Sequence, residues 1–293
     1  MRSYEKEIDT IKKKLDELDL RPSKRWGQNF LLDSDISLRI VKEIDKGYDG
    51  PVLEIGPGLG KLTDELIESG HSVICYELDS RLYSYLKKRY AQLLGKSVHL
   101  YNKDIMKDIK GLMGRDCYIV SNLPYSITSR FIGTVLDSKN CGRESDDRYF
   151  GSILMLQKDY IDRLISKSGC RTYGRISVLF QLKMDHELLM EVPSSSFFPR
   201  PAVDSSVIKF GIKKDNRLDK EEDAILRELL RVLFSQRRKK ISNSIGDRKF
   251  HGIDGVILRK KIDEMGISEY RPEKISPEDY LELIDRMMKI ENI

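Results

Sequence analysis

The chain has 293 residues, 40% of them hydrophobic, which is enough apolar material for one large core or two of ordinary size, and two are expected. Its 52 Lys and Arg against 47 Asp and Glu leave a net charge of +5, a mild lean towards anionic partners. No apolar run approaches the roughly 20 residues that cross a bilayer, and the N-terminus lacks the apolar stretch of a secretory signal, so no membrane association is expected and the cytoplasm is the default compartment.

In chain order, "IDTIKKKLDELDL" reads as an amphipathic surface helix within an N-terminal extension, residues 1–25. From about residue 50, β-rich and helical patterns alternate: "PVLEIG", "KLTDELIESG", "HSVICYEL", "SRLYSYLKKRYAQLL", "SVHLYN", "CYIVSN", "ITSRFIGTVL", "GSILMLQ" and "KDYIDRLIS". This βαβ series predicts an α/β domain over 1–213, with a mostly parallel sheet, helices on both faces and ligands at the carboxyl ends of the strands. "HELLMEV" and "SSVIKFGIK", joined by a Pro-rich link, read as an antiparallel edge. The polar stretch Asp137–Arg148 reads as an exposed loop. After Lys213 the strand pattern stops. Leu226, Leu229, Leu230, Leu233 and Phe234 recur at helical spacing, which predicts a small helical domain over 214–293. Cys75, Cys117, Cys141 and Cys170 show no CxxC spacing, and His71, His99, His186 and His251 no ligand spacing, so neither disulfides nor a metal site is expected.

"LEIGPGLG" places Gly56, Gly58 and Gly60 between a strand and a helix, where backbone N–H groups can approach a ligand; acidic Glu54 precedes them. The spacing is GxGxG, not the GxGxxG of dinucleotide folds. Glu77 ends the second strand, where a carboxylate can accept both hydroxyls of a ribose. Asp104 follows the third strand and could take the exocyclic amine of an adenine. Together the three features resemble the class I S-adenosylmethionine-dependent methyltransferases, a Rossmann-like fold.

"NLPY", Asn122–Tyr125, ends the fourth strand, at the position of the [D/N]PPY-like motif of enzymes in that class that methylate exocyclic amines. An adenine N6 amine is a poor nucleophile, because its lone pair is delocalised into the ring. The Asn122 oxygen and a carbonyl near Leu123 could accept its two protons, Pro124 would stiffen the turn, and Tyr125 offers a ring face to an extruded base. Asn122 also borders the expected cofactor site.

Two further segments, "GQNFLLD" (Gly27–Asp33) and "FFPRPAVDS" (Phe197–Ser205), resemble signatures of the KsgA-type small-subunit ribosomal RNA adenine dimethyltransferases. The resemblance implies cofactor contacts from Gln28, Asn29 and Leu31, and a second base-stacking ring at Phe197. "FSQRRKKISNSI" resembles the same family's basic C-terminal segment, which implies phosphate contacts from Arg237, Arg238, Lys239 and Lys240. The implied activity is N6,N6-dimethylation of two adjacent adenosines in the 3′-terminal hairpin of small-subunit ribosomal RNA. The implied substrate is a pre-assembled ribosomal particle, and the expected state is a monomer. Two rivals stand beside this reading: an Erm-type large-subunit RNA methyltransferase, and a non-catalytic RNA-binding assembly factor that keeps the fold.

Overall fold

The computed structural model describes residues 2–23, 27–112, 117–137, 149–214, 218–247, 249–250 and 252–291. The expected polar loop therefore lies, from residue 138 to 148, outside the described residues. Two compact units divide the chain. One comprises Met1–Val135, Asp146–Lys158 and His186–Gly211; the other comprises Leu136–Ser145, Asp159–Asp185 and Ile212–Ile293.

The first unit runs α1 (Arg2–Glu17), β1 (Phe30–Leu31), α2 (Ser34–Lys42), β2 (Val52–Ile55), α3 (Lys61–Glu68), β3 (Val73–Tyr76), α4 (Ser80–Arg89), β4 (Val98–Tyr101), α5 (Ile105–Leu112), β5 (Cys117–Asn122), α6 (Thr128–Val135) and β6 (Tyr149–Gln157). It is completed by β7 (Met184–Val192, from its third residue onward), β8 (Phe197–Phe198) and β9 (Ser205–Ile212, except its last residue). Seven strands form one sheet in the order β4-β3-β2-β5-β6-β9-β7. The pairings from β4 across to β6 are parallel, and β9 runs antiparallel to β6. Strands buried on both faces need near-continuous apolar sequence, and all four residues of β2 are buried. The chain steps outward from β2 to β4 and then returns to place β5 on the other side of β2. That reversal is a topological switch point, where two diverging connections leave a crevice.

β1 and β8 form a separate two-stranded antiparallel sheet, with Phe30 opposite Phe198 and Leu31 opposite Phe197. Helix α1 is amphipathic as expected, but it is more than a surface helix. Its Ile11 and Leu15 are buried in a cluster with Leu20, Phe30, Leu32 and Leu82.

The second unit holds α7 (Lys158–Leu164, from its second residue onward), α8 (Arg175–Lys183), α9 (Lys220–Ser235), α10 (Ile241–Ile245), α11 (Gly255–Glu264) and α12 (Pro277–Glu291). A single boundary at 213 is therefore not what the contacts draw, since residues 159–185 join the C-terminal helices. The reason is the composition of α8, where Val178, Leu179, Phe180 and Leu182 are all buried and the helix packs against α9 and α12. α9 opens with a capping box: the Asp219 carboxylate accepts from the backbone N–H of Glu222 (2.9 Å), and the Glu222 carboxylate accepts from that of Asp219 (2.8 Å). Its leucines 226, 229, 230 and 233 are fully buried, on the expected stripe. Among the described residues no helix is long and apolar enough to cross a membrane.

Candidate active site

A cavity of about 370 Å³ opens at the carboxyl ends of β2, β3 and β5, on the switch point. Its floor is the loop after β2. Gly56 adopts φ +68°, a left-handed conformation that side chains rarely take, and a Cβ there would lie 3.1 Å from the Pro124 ring, so the glycine loop and the "NLPY" turn approach closely. Gly58 also faces the cavity, but Gly60 does not line it. Gly60 instead caps α3 at φ +88°, its carbonyl accepting from the Tyr90 hydroxyl at 3.1 Å. It serves the turn, not the ligand surface, which corrects the sequence expectation.

Glu77 is buried at 5% exposure, yet its carboxylate borders the cavity. It accepts from the backbone N–H groups of Asp79 (2.9 Å) and Gly58 (3.2 Å). Burial pushes it up to about 7 against those hydrogen bonds. Each carboxylate oxygen retains capacity for a hydroxyl donor, as a ribose requires. Asp104 stands further along the same wall, accepting from Met106 N–H at 2.9 Å, with Arg130 3.7 Å away. Leu78, 53% exposed, and Ile105 also line the cavity and supply the apolar surface a purine would need. Sequence reasoning missed both; the available signal was their position directly after the two acids.

Glu54 is 2% exposed and accepts from the Thr63 hydroxyl at 2.6 Å, with the Cys75 thiol 3.9 Å away. Burial raises it to about 8, reinforced by the negative charges of Asp64 and Glu77. Ribose acid, purine wall, open glycine loop and a buried acid make a donor set that suits an adenosyl group carrying a cationic amino-acid tail.

Asn122 ends β5 half-buried, and its Nδ2 donates to the Asn29 carbonyl at 3.2 Å. That contact fixes the amide so that its oxygen is left as the acceptor. The Pro124 carbonyl is taken within the turn by Ile127 N–H (3.1 Å) and the Thr128 hydroxyl (3.3 Å). Leu123 is buried, its N–H donating to Met155 O at 3.2 Å. The half-buried Tyr125 is held through its hydroxyl, 2.7 Å from Ser205 Oγ. Gln28, Asn29 and Leu31 all reach the cavity wall. Gln28 is oriented by accepting from Ser23 N–H at 2.8 Å.

Phe197 does not join this site. It is 2% exposed and packs in the main core with Leu31, Ile36 and Ile40, so it presents no ring face to a ligand. Strand alternation explains this, because residues opposite one another share a face. Leu31 and Phe197 turn towards the core of the large sheet, while Phe30 and Phe198 turn towards α1. The four cations of the C-terminal segment, in the second unit, are also not equivalent. Arg237 lies 3.4 Å from Glu273 and donates to the Arg171 carbonyl at 2.8 Å, and Lys240 is paired with Glu269. Arg238 and Lys239 are exposed.

The switch-point cleft, the glycine loop and the ordered acids define a class I, S-adenosylmethionine-dependent methyltransferase. The comparisons narrow this class to a family. The family model described as Ribosomal RNA adenine dimethylase matches residues 20–289. Proteins named Ribosomal RNA small subunit methyltransferase A are similar over nearly the whole chain. The one from Malacoplasma penetrans is 35% identical, covering 89% of this chain and 90% of its own, and the one from Bacillus mycoides is 32% identical, covering 90% and 91%. Among solved structures, a dimethyladenosine transferase from Plasmodium falciparum shares the fold at a TM-score of 0.74, with 24% identity over 89% of this chain and 98% of its own. The 23S rRNA methyltransferase ErmE does so at 0.66, with 22% identity over 89% and 100%. The chain belongs to the ribosomal RNA adenine dimethylase family, and its chemistry is adenine dimethylation with S-adenosylmethionine as methyl donor.

Proposed function

We propose that the chain converts two adjacent adenosines in the 3′-terminal hairpin of small-subunit ribosomal RNA to N6,N6-dimethyladenosine. It acts in the cytoplasm, as a monomer, on a pre-assembled small ribosomal particle. The small-subunit target rests on the names of the relatives at 32% and 35% identity. The reaction rests on one observation above the others, the Asn122 amide locked by the Asn29 carbonyl at the mouth of the cofactor cleft.

When bound, the cofactor supplies an electrophilic methyl group on a cationic sulfur. Glu77 holds the ribose hydroxyls, Asp104 takes the adenine amine of the cofactor, and the backbone of Gly56 and Gly58 closes against it. Gln28, Asn29 and Leu31 cover it from the β1 side. The target adenine stacks on the Tyr125 ring, its N6 protons accepted by Asn122 Oδ1 and the Leu123 carbonyl. Those acceptors oppose delocalisation of the lone pair and stabilise positive charge as it develops on N6. No general base is needed at attack, because the alkylated N6 cation loses its proton to water afterwards. Alignment in a rigid turn supplies the rest. Exposed Arg238 and Lys239 contact RNA phosphates, with Arg237 and Lys240 contributing only where their acidic partners yield.

The test is nucleoside mass spectrometry of small-subunit particles, naked small-subunit RNA and large-subunit RNA after incubation with the protein and cofactor. Dimethyladenosine in the particle alone is expected. Modification of the large-subunit RNA instead would overturn the target, and no methylation of any RNA would overturn the catalytic reading.

A further inference from the structure

Lys61 is the first residue of α3, directly after the glycine loop. A cation at the positive end of a helix dipole is unfavourable there, so its placement calls for a different explanation. Its ammonium lies 2.6 Å from Glu7 Oε1 on α1 and 2.5 Å from the Leu32 carbonyl, just beyond β1. One side chain thus joins three segments of the cofactor cleft: the loop that cradles the ligand, the strand that covers it, and the N-terminal helix. β1 is held between the other two. A Cβ on Gly58 would touch the Phe30 ring at 3.3 Å, and on its other side Phe30 packs with Ile11 and Leu15 of α1. Glu7, Thr10 and Lys14 of the same helix line the cavity.

We infer that Lys61 is a positioning residue for the cofactor, and that α1 is a strap which Lys61 fastens over β1 to hold the cleft closed on its ligand. The inference concerns residues outside the glycine, acid and "NLPY" motifs and rests on the cofactor assignment, which the wild-type titration checks separately.

The experiment titrates S-adenosylhomocysteine into the full chain by calorimetry, for the wild type and for Lys61→Met, Lys61→Arg, Glu7→Gln and the double variant Glu7→Gln/Lys61→Met. Wild-type binding establishes the site. Lys61→Met keeps the apolar stem and should weaken binding about tenfold, the effect of losing one charge-assisted hydrogen bond. Lys61→Arg should recover most of that loss. Glu7→Gln, at a half-buried side chain of α1, should weaken binding by a smaller factor. The double variant should be no weaker than Lys61→Met, because both changes break the same link. Limited trypsin digestion supplies a second readout. Cleavage at Lys12–Lys14 should be slowed by the ligand in the wild type and should be fast with or without it in Lys61→Met. Unchanged affinity in Lys61→Met overturns the inference. So does a loss of affinity in Lys61→Met with Glu7→Gln and the trypsin rates unaltered, since Lys61 would then bind the ligand directly and α1 would fasten nothing.

Discussion

Two carboxylic acids buried in one cleft make the stability of the ligand-free protein depend on pH. Glu54 is raised to about 8 and Glu77 to about 7, both by burial, from an ordinary carboxylate value of 4.5. A folded-state value above the unfolded one means that the folded chain keeps a proton that the unfolded chain has lost. The associated stability is complete below the unfolded value and disappears as pH rises through the folded one. From pH 5.5 to 8 this amounts to about 3 kcal/mol for Glu54 and about 2 kcal/mol for Glu77, at 1.36 kcal/mol per unit for each fully retained proton. At roughly 2 °C per kcal/mol, the unfolding midpoint should fall by about 10 °C over that range. Glu54→Gln keeps an amide oxygen to accept from Thr63 but carries no titratable proton, so its midpoint should fall by only about 4 °C. Differential scanning calorimetry of both chains at half-unit pH steps gives the comparison. Other groups, including His71, titrate in both chains, so the difference between the two slopes isolates Glu54. Parallel slopes would refute the argument, since Glu54 would then be ionised in the folded protein across the whole range.

Other outcomes follow from the same geometry. Glu77→Ala should weaken S-adenosylmethionine binding by roughly 1.5 to 3 kcal/mol per lost charge-assisted hydrogen bond; in the wild type, calorimetric affinity should decline as pH falls below about 7, because the hydroxyls need the ionised acid. Asn122→Ala should slow single-turnover methylation about a hundredfold to a thousandfold, with little change in RNA affinity; equal losses in rate and affinity would make Asn122 a base-holding residue instead. Phe197→Ala should cost about 3 to 5 kcal/mol of stability as a core deletion, read from denaturant midpoints, and its defect should not shrink on an RNA whose target base is already unstacked. Replacing Arg238 and Lys239 with Ala should flatten the salt dependence of RNA binding more than replacing Arg237 and Lys240, whose charges Glu273 and Glu269 already offset.

What could be read in the sequence was whatever the backbone decides locally. β2 with its glycine turn, Glu77 at the end of β3, and Asn122 with Pro124 at the end of β5 each carry their meaning within about ten residues, and the structure brings them to one cavity. Pairings distant in sequence were not readable. Which of two adjacent phenylalanines faces the core is settled by β1, paired with β8 from more than 160 positions away, and the register sends Phe197 inward with Leu31. The run Arg237–Lys240 looked uniform because Glu269 and Glu273 lie some thirty residues further on. The N-terminal helix shows the same division. Its amphipathic pattern read as a surface helix, and gave no sign that β1 would pack against its apolar face or that a lysine after the glycine loop would pair with it. On the proposed reading, closure of the cleft depends on contacts made by residues far apart in the chain, and the chemistry inside on short motifs. Substitutions around α1 and Lys61 should accordingly shift cofactor affinity, whereas those in "NLPY" should shift the rate of methyl transfer.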